Sequence, residues 1–525
     1  MAHPTHASYD EVPYEFRPFV RSYPDHLATL ATLLGMKPPP ADRSRILELG
    51  CAIGGNLIPM AINLPNSQFL GIDLSARQIA DGQAMIKKLG LQNIELRHVD
   101  ILEVDDSYGM FDYILCHGVY SWVPPEVQNK ILSICSKNLK PMGVAYVSYN
   151  VYPGWHMFGM IRDMMMYHAG RFSNIPHRVA QARALLDFLS QSTPPQLSSY
   201  NAMLKESVEY LRKHSDIYLL HEYLEEHNYP LYFYQFVERA AAAQLSFLSE
   251  SDLSDMLLAR FPPEAQKTLQ KISLGDIIHM EQYMDFLGRR TFRQTLLCHQ
   301  GILINRSLQP EFLQGMLITG NCKPTSANPD YSTTNPEPFQ SPKGTITITD
   351  RLSKTALAIL IQAAPMPIAF HDLCVAARKI VSRADDSSAS KEDDLQTLGR
   401  MILQGFCLGH VNLQLTPPIF TTTLSEKPTG YSLARLQAES GTMVTNARHE
   451  MATLNEFDRQ VLRSLDGAHD RNSIIKILMD LLDRGVLAAK EHNEPVQDQD
   501  RRTAILEREL PGSLKRLCDL ALIVK

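Results

Sequence analysis

The sequence lacks a close cysteine pair, a long apolar run and a surplus of positive charge. Its eight cysteines, at positions 51, 116, 135, 298, 322, 374, 407 and 518, are scattered, with no C-x-x-C among them. That excludes a zinc ribbon and a disulfide framework and fits a reducing, cytoplasmic setting. No stretch reaches the roughly 18 uninterrupted apolar residues of a membrane-spanning helix; the best candidate, Ala356 to Phe370, is broken by Pro365 and Pro367. The opening residues, MAHPTHASYDEVPYEF, carry acids and prolines where a secretory leader has an apolar core. With 51 Lys and Arg against 57 Asp and Glu, the net charge is −6, so no broad basic field attracts nucleic acid. The expectation is a cytoplasmic protein with no membrane insertion and no nucleic-acid partner.

What is present is enough to build large cores: 525 residues, 44% of them hydrophobic, or about three domains by length. From about 45 to 150, short β-rich runs (Ile46–Leu49, Phe69–Ile72, Ile94–Val99, Phe111–Cys116, Val144–Tyr149) alternate with helical stretches such as Ala76–Leu89 and Pro125–Leu139. Such alternation predicts an α/β, Rossmann-like parallel sheet with its ligand at the carboxyl ends of the strands. Apolar residues then recur at helical spacing through 156–287, which reads as a helical insertion. Arg290 to Leu308 looks like two β-rich runs hinged at Gly301, so 288–318 is expected to rejoin residues 1–155 as closing antiparallel strands. Residues 322–344, rich in Pro, Ser, Thr and Asn, read as a linker by composition. The remainder, 345–525, is expected to be an α+β domain. Its pattern EFDRQVLRSLDGAHDRNSIIKILMDLLDRGVL resembles a winged helix, and without a basic helix face it points to protein contacts.

The stretch ILELGCAIGGN, Ile46 to Asn56, is the first candidate for chemistry. A P-loop needs GxxxxGK[ST], and no such lysine follows. A dinucleotide site needs GxGxxG to bring the backbone against a pyrophosphate, but Ala52 stands at the second glycine. A cofactor with nucleoside and amino-acid ends and no phosphate remains. Such a cofactor wants acids at successive strand ends: Glu48 after the first, Asp73 after the second to accept ribose hydroxyls, and Asp100 after the third to accept the adenine amino group, with Ile101 as an apolar edge.

With those acids in register, ELGCAIGGN, GIDLSARQI and RHVDI resemble the signature segments of class I S-adenosylmethionine-dependent methyltransferases. Further segments, YDEVPYEFRPF, GVYSWVP, YNVYPGWHM, YLEEHNYPLYFYQFVERAAAAQLSFLSESDLSDML and FRQTLLCH, resemble bacterial methyltransferases carrying a methyltransferase regulatory domain. Among these are rickettsial protein-lysine methyltransferases that modify an outer-membrane protein. The likeness is specific over roughly residues 5 to 310. It implies S-adenosylmethionine as cofactor, bound by Glu48, Gly50, Cys51, Gly54, Asn56, Asp73, Leu74, Asp100, Ile101 and His117. It also implies a protein substrate, an outer-membrane protein being one case, and a helical insertion that could support a homodimer.

Neutralising a lysine ammonium costs roughly 4 to 5 kcal/mol near pH 7, which an apolar, aromatic pocket could offset. The aromatic loops after strands four and five (Tyr120, Trp122, Tyr149, Tyr152, Trp155) lie at the predicted active edge. His117, Tyr120, Asn150 and Tyr152 are the candidate catalytic residues. His117 is either a proton acceptor or a strand-end contact to the cofactor's amino-acid end. Tyr9 and Tyr14 are candidates for a lid. HEYLEEH, His221 to His227, lacks the spacing of HExxH and reads as surface helix, so no metal is expected. The leading expectation is transfer of methyl groups to protein lysines, the alternatives being a small metabolite as acceptor or a non-catalytic cofactor sensor.

Overall fold

The computed structural model describes residues 16–382, 391–491 and 494–525. Tyr9 and Tyr14, and most of the acidic break near 383–394, lie outside the described residues.

The sheet forms because five short runs carry apolar residues on both sides. In β1 (Arg45–Leu49) Ile46 enters one core, while Leu47 and Leu49 enter the other, the two-residue alternation of a strand covered on both faces. β2 (Gln68–Asp73), β3 (Ile94–His98), β4 (Phe111–Cys116) and β5 (Leu139–Asn150) run parallel to it, and every residue of β4 is buried. β6 (Leu245–Glu250) and β7 (Phe292–His299) complete the order β3-β2-β1-β4-β5-β7-β6, with β7 antiparallel to both neighbours. The chain order reverses on the two sides of β1, which is where an open α/β sheet leaves a crevice for ligand.

Two expectations about the sheet are corrected. The strand beside β7 is LSFLSE, inside the stretch read as helical. The helix Phe233–Ala242 ends and Gln244 turns with φ 62 before β6 begins. Residues 302–308 form no strand: Asn305 N instead donates to Leu34 O at 2.9 Å. The supposed linker is also folded in. Lys323–Pro324, Glu337–Ser341 and Gly344–Ile348 form a three-stranded sheet. There Phe339 is fully buried, and the buried Lys354 Nζ donates to Asp330 O (2.9 Å) and Asn335 O (2.8 Å). One aromatic and one cation capping loop carbonyls outweigh a composition that otherwise favours coil.

The helix-turn-helix-like pattern becomes helices Glu456–Ser464 and Arg471–Asp483, and beyond it a short hairpin, Lys490–Glu491 against Glu494–Pro495, leads to a third helix, Gln499–Asp519. Asn455 and Asp470 cap the first two by accepting from Asp458 N and Ser473 N, both at 2.8 Å. A continuous apolar core joins this region to the sheet: Ile46, Tyr146 and Met60 belong to the same cluster as Tyr431, Leu433, Val444 and Leu517. The C-terminal region thus packs beside the helix Leu57–Asn63 that follows the glycine turn. No helix among the described residues is long and apolar enough to cross a membrane.

Candidate cofactor and active site

The glycine turn crosses the end of β2. Gly50 N and Cys51 N both donate to Ile72 O, at 2.9 and 3.0 Å. Ala52 takes a left-handed φ of 50°, and its N–H donates to Asp73 Oδ2 at 2.8 Å. An aspartate at the next strand end therefore holds the alanine that displaced the second glycine. Gly50 has φ 74, and a Cβ there would lie 2.4 Å from Val119 Cγ2. A Cβ on Gly55 would meet Arg17 N at 2.8 Å and Phe16 Cα at 3.2 Å, because the segment Phe16–Phe19 is laid against the turn. Gly55→Ala must push that strap away by several tenths of an ångström. Its expected result is weaker cofactor retention, about three- to tenfold in dissociation constant for a loss of about 1 kcal/mol, with little change in melting temperature. Calorimetric titration checks it.

Asn56 lies at a crossing of four hydrogen bonds. Its Oδ1 accepts from Phe19 N (2.9 Å) and pairs with His449 Nε2 (2.8 Å); its Nδ2 donates to Glu48 Oε1 (2.7 Å) and Ser22 Oγ (3.0 Å). Glu48 Oε2 is buried with no partner among the described residues, and burial pushes this carboxyl up to about 8. The folded chain thus holds a proton there that the unfolded chain releases. That contribution to stability is full below the ordinary carboxyl range and is lost as pH rises through about 8. Melting temperature should fall as pH rises from the ordinary carboxyl range to about 8, and Glu48→Gln should flatten the decline; an unchanged slope would contradict the assignment.

His117, at the end of β4, is half-buried between rings. Phe19 lies 3.7 Å away, Tyr146 5.8 Å and Phe292 6.2 Å, centroid to centroid. Its tautomer follows from a chain of donors. Arg21 Nη1 can only donate, and it meets Gln294 Oε1 at 3.0 Å. Gln294 Nε2 therefore donates to Tyr146 Oη (2.8 Å), and the tyrosine's own proton goes to His117 Nδ1 (2.8 Å). The ring proton is left on Nε2, and burial pushes the imidazole down to about 4, keeping it neutral. At neutral pH His117 offers an N–H, not a vacant base.

The other predicted residues divide into three groups. Asp73 Oδ1 also accepts from Ser75 N (2.9 Å), and Asp100 Oδ1 from Leu102 N (2.9 Å), so both carboxylates are fixed by backbone with lone pairs to spare. Leu74 is exposed, Ile101 half-buried, and Gly54 has φ 79 over Leu96. Cys51 points inward, 4% exposed, beneath the turn. Tyr120 and Tyr149 are expected at the reacting edge; the structure puts both in the core, Tyr149 stacked on Phe236 and Tyr120 edge-on to it, because the helix Phe233–Ala242 covers them. Asn150 is 4% exposed and tied to Ser121 Oγ (2.8 Å) and Asn228 Oδ1 (3.1 Å). Tyr152 stays at the edge, stacked 4.0 Å from His156 and tilted against Tyr232 at 5.4 Å. Trp122 and Trp155 pack on each other at 6.0 Å. His221 and Glu225, read as surface residues, are buried and paired at 3.2 Å. The sequence reading missed His449, Gln294, Tyr146 and Arg21, which carry no local motif.

The unpartnered buried Glu48 oxygen suits a cationic amino-acid end, whose ammonium would take the place of the proton held there, Asp73 suits ribose hydroxyls, and Asp100 with Ile101 suits adenine, so the residues present fit S-adenosylmethionine. A parallel sheet closed by an antiparallel strand, with this turn and these acids, defines the class of S-adenosylmethionine-dependent methyltransferases. Comparison with known proteins agrees. Residues 46–143 match a methyltransferase domain, 215–299 a predicted methyltransferase regulatory domain, and 426–522 a "PKMT, C-terminal winged helix domain". A protein of Rickettsia prowazekii (strain Madrid E) is 36% identical over 527 residues, 99% of this chain and 94% of that one. PKMT2 from Rickettsia typhi, solved in complex with AdoHcy, is 34% identical with a TM-score of 0.85 over 98% of this chain and 100% of that one. A Synechocystis protein is 27% identical over 311 residues, 58% of this chain and 60% of its own length. The chain belongs to the family of these rickettsial proteins: it is an S-adenosylmethionine-dependent methyltransferase with a methyltransferase regulatory domain and a C-terminal winged helix.

Proposed function

We propose that the methyl acceptor is a lysine side chain of a protein, and that the reaction takes place in the cytoplasm. The observation that carries this reading is the full-length likeness to PKMT2, winged helix included; a small metabolite would need no such C-terminal extension. The edge of the site supports it. Tyr152 stacks on His156, Tyr232 packs against both rings at a tilt, and Phe286 stands 5.9 Å from Tyr232 with 47% of its surface exposed. Such rings accept the alkyl stem of a lysine and attract its ammonium. Burial among them lowers the lysine pKa and favours the neutral, nucleophilic amine. An outer-membrane protein met before export is one acceptor consistent with this.

Bound S-adenosylmethionine supplies a methyl carbon activated by a neighbouring sulfonium. The chain's part is orientation and exclusion of water. Phe19 covers His117, whose Nε2 proton would face the cofactor's amino-acid end; Glu48 would meet the ammonium there, and Asp73 the ribose. Tyr152 and Tyr232 aim the acceptor. The test is transfer from methyl-labelled S-adenosylmethionine into a bacterial extract. Label should precipitate with protein, and Tyr232→Ala should raise the KM for that protein about tenfold, a loss of about 1.4 kcal/mol, while leaving the KM for S-adenosylmethionine unchanged. Label confined to the organic extract would instead indicate a metabolite acceptor.

A further inference from the structure

We propose that His449 of the winged-helix domain is a positioning residue of the cofactor site, so that cofactor binding and docking of that domain are energetically coupled. His449 lies in the turn between two short strands, Met443–Thr445 and Met451–Thr453. The turn is braced from within: Asn446 Oδ1 accepts from Arg448 N (2.9 Å) and Glu450 N (3.0 Å), and His449 N donates to Asn446 O (3.1 Å). At its tip His449 has φ 63, the left-handed region that glycine favours and that asparagine, aspartate and histidine also visit.

That side chain is 2% exposed and reaches across the interface to Asn56 at 2.8 Å. Asn56 Oδ1 is already fixed as an acceptor by Phe19 N, so His449 Nε2 must carry the proton and donate. Burial pushes the imidazole down to about 3, and it stays neutral in this role. Asn56 in turn holds Glu48 Oε1 at 2.7 Å and, through Phe19 N, the strap that passes over the glycine turn. One donor from a residue 393 positions away thus fixes the amide plane that aims Glu48 and anchors the strap. Neighbouring bonds across the same interface have no such reach: Tyr431 Oη donates to Pro59 O (3.3 Å) and Asn63 Nδ2 to Ala447 O (3.2 Å), farther along the helix Leu57–Asn63 and touching neither Asn56 nor Glu48. The two sites being linked, the coupling is reciprocal: bound cofactor steadies the 443–453 turn as the turn steadies the site.

The test is calorimetric titration of the full chain with S-adenosylhomocysteine. His449→Phe keeps the ring and removes the donor; binding should weaken about tenfold. His449→Gln, whose amide can donate, should recover to within about threefold of the parent, while Tyr431→Phe should lower the melting temperature and leave affinity within about twofold. Unchanged affinity in His449→Phe would overturn the proposal, as would Gln no better than Phe, or an equal loss in Tyr431→Phe, which would mean general docking. Should His449→Phe not fold, the unaltered protein decides. Saturating S-adenosylhomocysteine should slow amide hydrogen exchange in residues 443–453 as well as at the glycine turn, and no slowing in 443–453 would overturn the proposal.

Discussion

Arg293→Ala should cost about 3–5 kcal/mol of stability, read as a fall in the denaturant midpoint, because it leaves buried carboxylates without their cation. Arg293 is completely buried on β7. Its Nε and Nη2 grip Asp285 at 2.8 Å each, Nη1 meets Glu250 at 2.8 Å and Nη2 meets Glu281 at 3.0 Å, with the guanidinium 3.8 Å over the Phe233 ring. Burial pushes the Glu281 carboxyl up to about 7, against the pull of Arg293. Arg290 assists from Glu250 and Asp255, at 3.2 and 2.9 Å. Without Arg293, Arg290 alone faces Glu250, Asp285 and Glu281, and at least one must protonate. Arg293→Lys should recover only part of the loss, since a point charge cannot fork to three carboxylates. The damage should reach the site as well: β7 also carries Phe292 beside His117, and Gln294, which sets Tyr146. A loss under about 1 kcal/mol would show that the cluster is not what joins β6, β7 and the helix Ile277–Gly288.

Asp73→Ala should weaken cofactor binding at least about 100-fold and abolish methyl transfer at ordinary cofactor concentrations. Two charge-assisted hydrogen bonds, from the turn at Ala52 N and from Ser75 N, are lost together with those the carboxylate would accept from the ribose, at about 1.5–3 kcal/mol each. Asp73 does more than meet a ligand. By accepting from Ala52 N and Ser75 N it holds the left-handed alanine and the start of the helix Ala76–Leu89 in place. Asp73→Asn is the informative partner. Its oxygen can keep Ala52 N, but its amide then faces Ser75 N donor to donor, so binding should fall between parent and alanine. Equal affinity for parent and alanine, by calorimetry, would remove Asp73 from the site.

The parallel strands and three acids were legible because their signals are local: five apolar runs, each ending near an acid or a glycine. β6 was not. LSFLSE follows four alanines whose helical spacing runs straight into it, and only pairing with β7, some fifty positions away by the register Leu245↔His299, makes it a strand. The aromatic loops illustrate a second limit. Tyr120, Tyr149 and Tyr152 are equivalent in sequence, yet the helix Phe233–Ala242 buries the first two and leaves the third at the edge. The cofactor turn was read as a glycine problem, and Gly55 turned out to make room for the chain's own strap. His449 could not be found by spacing at all, since its partner lies in another domain.

The measurement that reaches the central claim most directly is the chemical identity of the methylated residue. Protein labelled from methyl-tritiated S-adenosylmethionine is hydrolysed in acid and its amino acids separated, with Asp73→Ala enzyme as control. Label is expected in methylated lysine, stable to base beforehand and absent from the control. Label released as methanol by mild base, or recovered in a residue other than lysine, would contradict it.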